Sequence, residues 1–332
     1  MIPPAAPVDD PSGAGPDAVN VEISGALTGP QAAEVLGLAQ RAAQADGVGP
    51  LSEHGLLHLR YDGDRQARDV LLWRAGQLAG YGHLDPAADP AGPSGEMVVD
   101  PAFRRRGLGL TLLRALIAEA GGRGLRLWAH GDLPAATRLA ARTGLRRSRA
   151  LWQMRRSLQG DLGEPKLAPG VTVRTFRVGQ DEDAWIALNG RAFARHPEQG
   201  AWTREDLDLR EREPWFDPAG FFLAERNGAL VGFHWTKVHG SREDATGGHE
   251  HEPIGEVYVV GVDTGERGTG LGRALTLIGL RHLRDSGLAQ VMLYADEDNT
   301  AAIKLYESLG FTHWDTDAMF TLEPSRQPEG RR

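Results

Sequence analysis

Apolar positions along the chain fall into short runs whose spacing switches between two residues and a helical turn, and the same succession occurs twice. Leu71 and Leu72 lead into Arg74-Ala-Gly-Gln-Leu-Ala-Gly-Tyr81, and Phe221, Phe222 and Leu223 lead into Arg226-Asn-Gly-Ala-Leu-Val-Gly-Phe233. Apolar residues on both sides of a Gly-centred turn predict a β-hairpin in each case. Met97 to Val99 and Val257 to Val262 predict a strand after each hairpin. Both strands run into glycine-bearing turns, Asp100-Pro-Ala-Phe-Arg-Arg-Arg-Gly-Leu-Gly109 and Asp263-Thr-Gly-Glu-Arg-Gly-Thr-Gly-Leu-Gly272. Helical spacing follows, with Leu108, Leu112 and Leu116 in the first copy and Leu271, Leu275, Ile278 and His282 in the second. A third pair, Leu127 to Leu145 and Leu293 to Phe311, reads as strand, turn, helix ended by Gly144 or Gly310, and strand.

A gap-free repeat on this scale predicts two copies of one domain. The expected boundaries are a first domain over 19–158, a linker over 159–170 rich in Gly and Pro, and a second domain over 171–322. Residues 1–18 and 323–332 read as disordered tails. The polar insert Gly240 to Pro253 in the second copy reads as an exposed loop.

With 332 residues, the chain has room for two cores. The formal charge of −8 argues against a nucleic-acid partner, so any anionic ligand needs a local basic or dipolar site. The absence of cysteine removes disulfides, thiolate ligands and a thiol nucleophile. No membrane span or signal peptide is read, and the expectation is a cytoplasmic protein, taken as a monomer. His249-Glu-His-Glu252 lacks a metal-ligand spacing and reads as a solvated loop, so no metal is expected.

Arg-x-x-Gly-x-Gly between a strand and a helix has a direct chemical reading. The glycines let backbone approach a ligand, and the helix start offers unpaired N–H groups and partial positive charge. The two turns, Arg104 to Gly109 and Arg267 to Gly272, predict pyrophosphate binding. The three arginines at 104–106 are expected to add phosphate contacts. A dinucleotide fold fits poorly, because neither turn has the Gly-x-Gly-x-x-Gly spacing or opens its domain. A Walker loop is excluded because no Gly-Lys-Ser/Thr follows.

These turns, and Asn299-Thr-Ala-Ala-Ile-Lys-Leu-Tyr-Glu-Ser-Leu-Gly-Phe311, resemble the GNAT acetyltransferases. The resemblance implies an α/β (α+β) fold of two tandem GNAT domains. Each would be a mixed, twisted sheet flanked by helices, splayed where the pantetheine arm of acetyl-CoA enters. Gly255-Glu-Val-Tyr-Val-Val-Gly-Val-Asp263, Phe193-Ala-Arg-His-Pro-Glu198, Gly232-Phe-His-Trp-Thr-Lys237 and Leu293-Tyr-Ala-Asp-Glu-Asp-Asn299 resemble an actinobacterial tandem branch of that family. That branch implies a small-molecule acceptor, the cysteinyl amine of cysteinyl-glucosaminyl-inositol, and mycothiol as product. An acetyltransferase for another amine, or an acetyl-CoA-binding module without chemistry, remain as alternatives.

The resemblance also implies site residues. Acetyl-CoA in the second domain would meet Val260, Gly261 and Val262, Arg267, Gly268, Thr269, Gly270, Leu271, Gly272 and Arg273, and Asn299, Thr300, Ala301, Ala302, Ile303 and Lys304. In the first domain it would meet Met97, Val98 and Val99 and Arg105, Arg106, Gly107, Leu108, Gly109 and Leu110. The acceptor would meet Glu53, Glu198, Lys237, Glu256 and Tyr294. Attack on a thioester needs a neutral amine, and an α-amino group titrates near ~7.7–8.0. Glu256 is the expected base, a strand N–H near Val260 the expected carbonyl polariser, and Tyr306 the expected acid at the leaving sulfur. The bland readings are a strand-edge charge for Glu256, a packed helix residue for Tyr306, a helix-start neighbour for Glu53 and a core residue for Tyr294. In the gap-free alignment Tyr306 meets Ala140, Asn299 meets Leu133 and Glu256 meets Pro93. The first domain is therefore expected to bind acetyl-CoA without catalysing.

Overall fold

The structure is a computed structural model, describing residues 18–61, 66–85, 92–194, 196, 199–240 and 252–324. Along the chain the elements are β1 (Val19–Ser24), α1 (Gly29–Asp46), α2 (Glu53–Tyr61), β2 (Arg68–Arg74), β3 (Gln77–Asp85), β4 (Ser94–Val99), α3 (Leu108–Glu119), β5 (Leu125–Ala129), α4 (Pro134–Thr143) and β6 (Arg146–Ser157). The second half holds β7 (Val171–Thr175), α5 (Glu182–Ala192), α6 (Arg204–Glu211), β8 (Phe221–Arg226), β9 (Ala229–His239), β10 (Ile254–Val262), α7 (Leu271–Asp285), β11 (Gln290–Asp296), α8 (Thr300–Ser308) and β12 (Thr312–Leu322). No helix among the described residues is long and apolar enough to cross a membrane.

Two compact units form, and they divide the chain differently from the sequence-order boundaries at 158 and 171. One comprises residues 1–149 and 317–332, the other 150–316. The reason is strand exchange at the ends of the repeats. β6 closes the first repeat in sequence, yet its Leu151–Ser157 stretch pairs with β11 of the second. β12 closes the second repeat, yet Ala318–Leu322 pairs with β5 of the first. The presumed linker is also no free tether. Leu158 and Leu162 are buried in the second unit's core, and Arg281 Nη2 donates to Gly163 O at 2.7 Å.

Within the first unit β1, β2, β3 and β4 are antiparallel neighbours and β4 runs parallel to β5. Leu112, Leu113 and Leu116 of α3 pack on one face, and Val35, Leu38 and Ala42 of α1 on the other. The second unit repeats this order with β7, β8, β9, β10 and β11. There α7 and α8 cover one face, while Trp185 of α5 and Leu207 of α6 meet Phe221, Phe233 and Trp235 on the other. The buried stripe of α7 is Leu271, Leu275, Leu280 and Leu283; Ile278 and His282, expected in it, are only half-buried. Both hairpins close through two-residue turns with positive φ, Ala75-Gly76 and Asn227-Gly228. That is the turn whose twist matches paired strands.

Residues 241–251 of the insert, with most of His249-Glu-His-Glu252, lie outside the described residues, as do residues 1–17 and 325–332.

Candidate active site

In each unit the parallel pair opens. β10 pairs with β11 only over Gly255–Val257, opposite Val291–Leu293. β4 pairs with β5 only at Ser94 and Gly95. Beyond those points the central strand keeps one antiparallel neighbour, so its other edge presents ladder groups to whatever enters the gap. This is the expected splay.

The glycine turns sit at the wide end of each gap. Asp263 caps a 3-10 turn at Thr264–Glu266, accepting from the Gly265 N–H. Gly268 and Gly270 then take φ of 79° and 87°. A side chain on either would meet no atom within 4 Å, so the glycines serve conformation rather than space. α7 starts with no side-chain cap, and its first backbone bond is Ala274 N–H to Gly270 O. The amides of Leu271, Gly272 and Arg273 are thus left for an anion. The first unit reaches the same conformation with Arg105 at φ 64° and Gly107 at 85° before α3.

Several turn arginines have partners within their own unit. Arg104 is taken up by a bidentate pair with Asp46, at 2.6 and 2.7 Å, and by Val99 O. Arg267 donates to Ala192 O at the end of α5, and Arg273 to Ser308 Oγ at the end of α8. Arg106 lies over the Phe103 ring. Arg104 and Arg267 thus brace their turns, while Arg105 and Arg106 are exposed beside the backbone amides. Leu108, Leu271 and Ile303 place their side chains in the core, leaving only backbone for a ligand. Asn299 is the cap of α8, its side chain accepting from Ala302 N–H at 3.2 Å. Thr300, Ala301 and Lys304 are exposed beside it.

The acid–base candidates are set by strand register. Glu256 is only 7% exposed and stands opposite Lys237 across β10 and β9. His239 Nε2 donates to Glu256 Oε2 at 2.7 Å. Glu256 is therefore no solvated edge charge. Lys237 is likewise buried, its Nζ 4.2 Å from the Trp215 ring centre and 5.2 Å from that of Tyr258. Arg210 donates to the Tyr258 hydroxyl at 2.8 Å and lies 3.9 Å over Trp202, closing an aromatic box. Sequence reasoning missed His239, although its position two residues beyond Lys237 puts it on the same strand face.

Tyr306 lies on α8, packed edge-on against Phe311. Burial pushes its hydroxyl up to about 12, so it holds its proton at neutral pH. Tyr294 is 40% exposed rather than core, and its hydroxyl accepts from Gln153 Nε2 at 2.8 Å. Glu53 opens α2 in the first unit. Glu198 lies outside the described residues.

One alignment needs correction. The β9–β10 register slips between Val257 and Val259, so Tyr258 is an extra, bulged residue. β3–β4 has no such slip, and Asp85 stands opposite Ser94. Counting along the ladders, Glu256 corresponds to Ser94, not to Pro93, and Lys237 to Asp85.

A model of the acetyltransferase (GNAT) family matches residues 40–145 and 187–311. The chain is 65% identical over 286 residues to a mycothiol acetyltransferase of Thermobispora bispora, covering 86% of this chain and 94% of that one. A mycothiol acetyltransferase of Streptosporangium roseum is 55% identical, with 90% and 98% covered. Among solved structures, a tandem GNAT protein from the clavulanic acid biosynthesis pathway shares the fold, with TM-score 0.68, 20% identity and coverage of 93% and 100%. Two family matches in one chain, and relatives this similar along nearly their whole length, establish that the chain belongs to the GNAT acetyltransferases, in the group of the mycothiol acetyltransferases.

Proposed function

We propose that the second unit transfers acetyl from acetyl-CoA to the cysteinyl amine of cysteinyl-glucosaminyl-inositol, giving mycothiol and CoA. The observation carrying this reading is the buried Glu256, held by His239 one residue before the β10–β11 ladder ends. A carboxylate there stands at the narrow end of the gap, and the free α7 amides stand at the other.

Glu256 takes a proton from the acceptor ammonium, directly or through a water, and the freed amine attacks the thioester carbon. A backbone N–H near Val260 stabilises the oxygen as it gains charge. The C–S bond breaks, Tyr306 gives its proton to the leaving sulfur, and the second proton of the attacking nitrogen returns to the Tyr306 phenolate, directly or through a water, as the amide forms. The second-unit contacts to acetyl-CoA are the Val260–Val262 edge, the Gly268–Arg273 amides and the start of α8. The first-unit edge at Met97–Val99 and the Arg105–Leu110 turn form a second, non-catalytic binding place. Within the second unit, Lys237 and Tyr294 belong to the acceptor.

Mass spectrometry of products after mixing the protein, acetyl-CoA and cysteinyl-glucosaminyl-inositol tests this. Rapid N-acetylation is expected, with little on cysteine, glucosamine or aminoglycosides. No N-acetyl product while acetyl-CoA still binds would remove the acceptor assignment.

A further inference from the structure

The sheet face that carries Glu256 continues across two more strands of the second unit. Glu256 pairs with Met292 of β11, and Met292 with Arg155 of β6. Tyr294 pairs with Gln153 on the same side. The face ends at Trp314, which is 62% exposed. The Arg155 guanidinium carbon lies 4.5 Å from the Trp314 ring centre. Arg155 Nε donates to Gln153 Oε1 at 2.8 Å, and Gln153 in turn donates to the Tyr294 hydroxyl. The Nη groups of Arg155 make no hydrogen bond or ion pair among the described residues.

Arg155 is half-buried, and desolvation holds its pKa below the usual value, while its Nη groups remain available as donors. The group is also locked in orientation by the indole and by Gln153, so its fork of donors is preset. An exposed indole beside it supplies a flat apolar surface with a polar edge. Flat aromatic surface, a fixed pair of donors and a neighbouring hydroxyl are what a pyranose or cyclitol requires: its C–H face lies on the ring and vicinal hydroxyls accept from the fork. The Asp315 charge acts on the same guanidinium and offsets its field, which favours neutral hydroxyls over an anion. The Glu256 and Arg155 strands are about 10 Å apart, two strand spacings. An amide-linked aminoacyl arm followed by a sugar ring spans such a gap.

We infer that Trp314 and Arg155 form the subsite for the neutral polyol of the acceptor. This rests on the acceptor reading above, and Trp314 and Arg155 select the substrate without taking part in the proton transfers. The test uses the full chain and two probes. The first is glucosaminyl-inositol without its cysteine, followed by saturation-transfer NMR and calorimetry. Wild type binds it, and Trp314→Ala weakens binding at least tenfold. The second is steady-state kinetics on the complete acceptor. Trp314→Ala raises its KM about tenfold with kcat within twofold and the acetyl-CoA KM unmoved. Arg155→Lys, which keeps the charge and loses the fork, falls between. Equal fragment binding by wild type and Trp314→Ala, no fragment binding by wild type, or a fall in kcat with unmoved KM overturns the subsite. So does displacement of the fragment by submillimolar inorganic phosphate, which would mark an anion site. Should wild type fail to acetylate the complete acceptor while Trp314→Ala still abolishes fragment binding, the acceptor reading falls and the polyol subsite stands.

Discussion

The two units share a frame and fill its central row with opposite chemistry. In the second unit Phe221, Trp235 and Val259 lie side by side on β8, β9 and β10, with Phe221 and Trp235 stacked 4.5 Å apart. The same row of the first unit is Asp69, His83 and Glu96. His83 donates to Asp69 at 3.1 Å and to Asp85 at 2.9 Å, and Tyr81 donates to Asp69 at 2.6 Å. His130 bridges Glu96 and Asp317. Every carboxylate in that row is therefore held by a neighbour. In the second unit the apolar row leaves Lys237 and Glu256 as the polar pair at its end, with Glu256 held by a single histidine. The difference teaches that the gap and the glycine turn are the inherited frame. Under the proposed function, reactivity depends on one bulged residue and on which charges are already committed.

The largest expected break in symmetry comes from the base. Glu256→Gln should lower kcat about 10³-fold, within the range for a lost general base, with acetyl-CoA affinity unchanged by calorimetry. Ser94→Glu, at the corresponding place in the first unit, should neither raise turnover nor rescue it. Rescue would show the first gap to be a competent site lacking only a base. Tyr306→Phe should cost less, about 10²-fold in kcat, since the thiolate is a fair leaving group without help. Unchanged turnover in both variants would discard the proton path.

The glycine turns sharpen the comparison by about tenfold. Gly270→Ala forces a β-carbon into left-handed backbone, a strain of ~1–2 kcal/mol, in the loop that presents the α7 amides. The acetyl-CoA KM should rise about tenfold. Gly107→Ala imposes the same strain in the first unit and should leave turnover within twofold. Equal effects from both would mean that both turns serve catalysis.

Much of this frame was legible in the sequence because hairpins, glycine turns and helix stripes repeat at constant spacing. Glu256 and Tyr306 stood out as polar residues opposite Pro93 and Ala140 in the gap-free alignment; the ladders keep a contrast in charge at the first position, Glu256 against Ser94. Three features were not legible. A gap-free alignment conceals the bulge at Tyr258, which is defined only by the partner strand, and so misplaced Glu256 by one residue. The exchange of β6 and β12 reverses no hydrophobic pattern; both strands suit either sheet. The bracing of Arg104 by Asp46 and of Arg267 by Ala192 was not legible because those partners lie far away in sequence.

The smallest predicted effect tests whether the charged row is a structural substitute for the aromatic one. His83 and His130 are raised to about 10 by their carboxylates, against an ordinary value of 6.5, while Asp69, Asp85 and Glu96 are lowered. A raised histidine stabilises fully below 6.5 and loses that contribution as pH rises towards 10; a lowered carboxylate stabilises above about 4 and loses it below. The first unit's row is therefore strongest between about pH 4 and 6.5. The second unit's His234 is the reverse. Burial lowers it to about 4, so it stays neutral while its Nδ1 donates to Leu275 O, and alkali leaves it untouched. Glu211, raised to about 7 by burial, is already mostly ionised at pH 7.5. From pH 7.5 to 9.5, hydrogen exchange corrected for intrinsic rate should show β3 amides losing protection and β9 amides keeping theirs. A fall of a few degrees in Tm should accompany it. Equal loss in β9 would show that the two rows do not differ in what holds them, and Asp69→Asn should then leave the alkaline limb unchanged instead of flattening it.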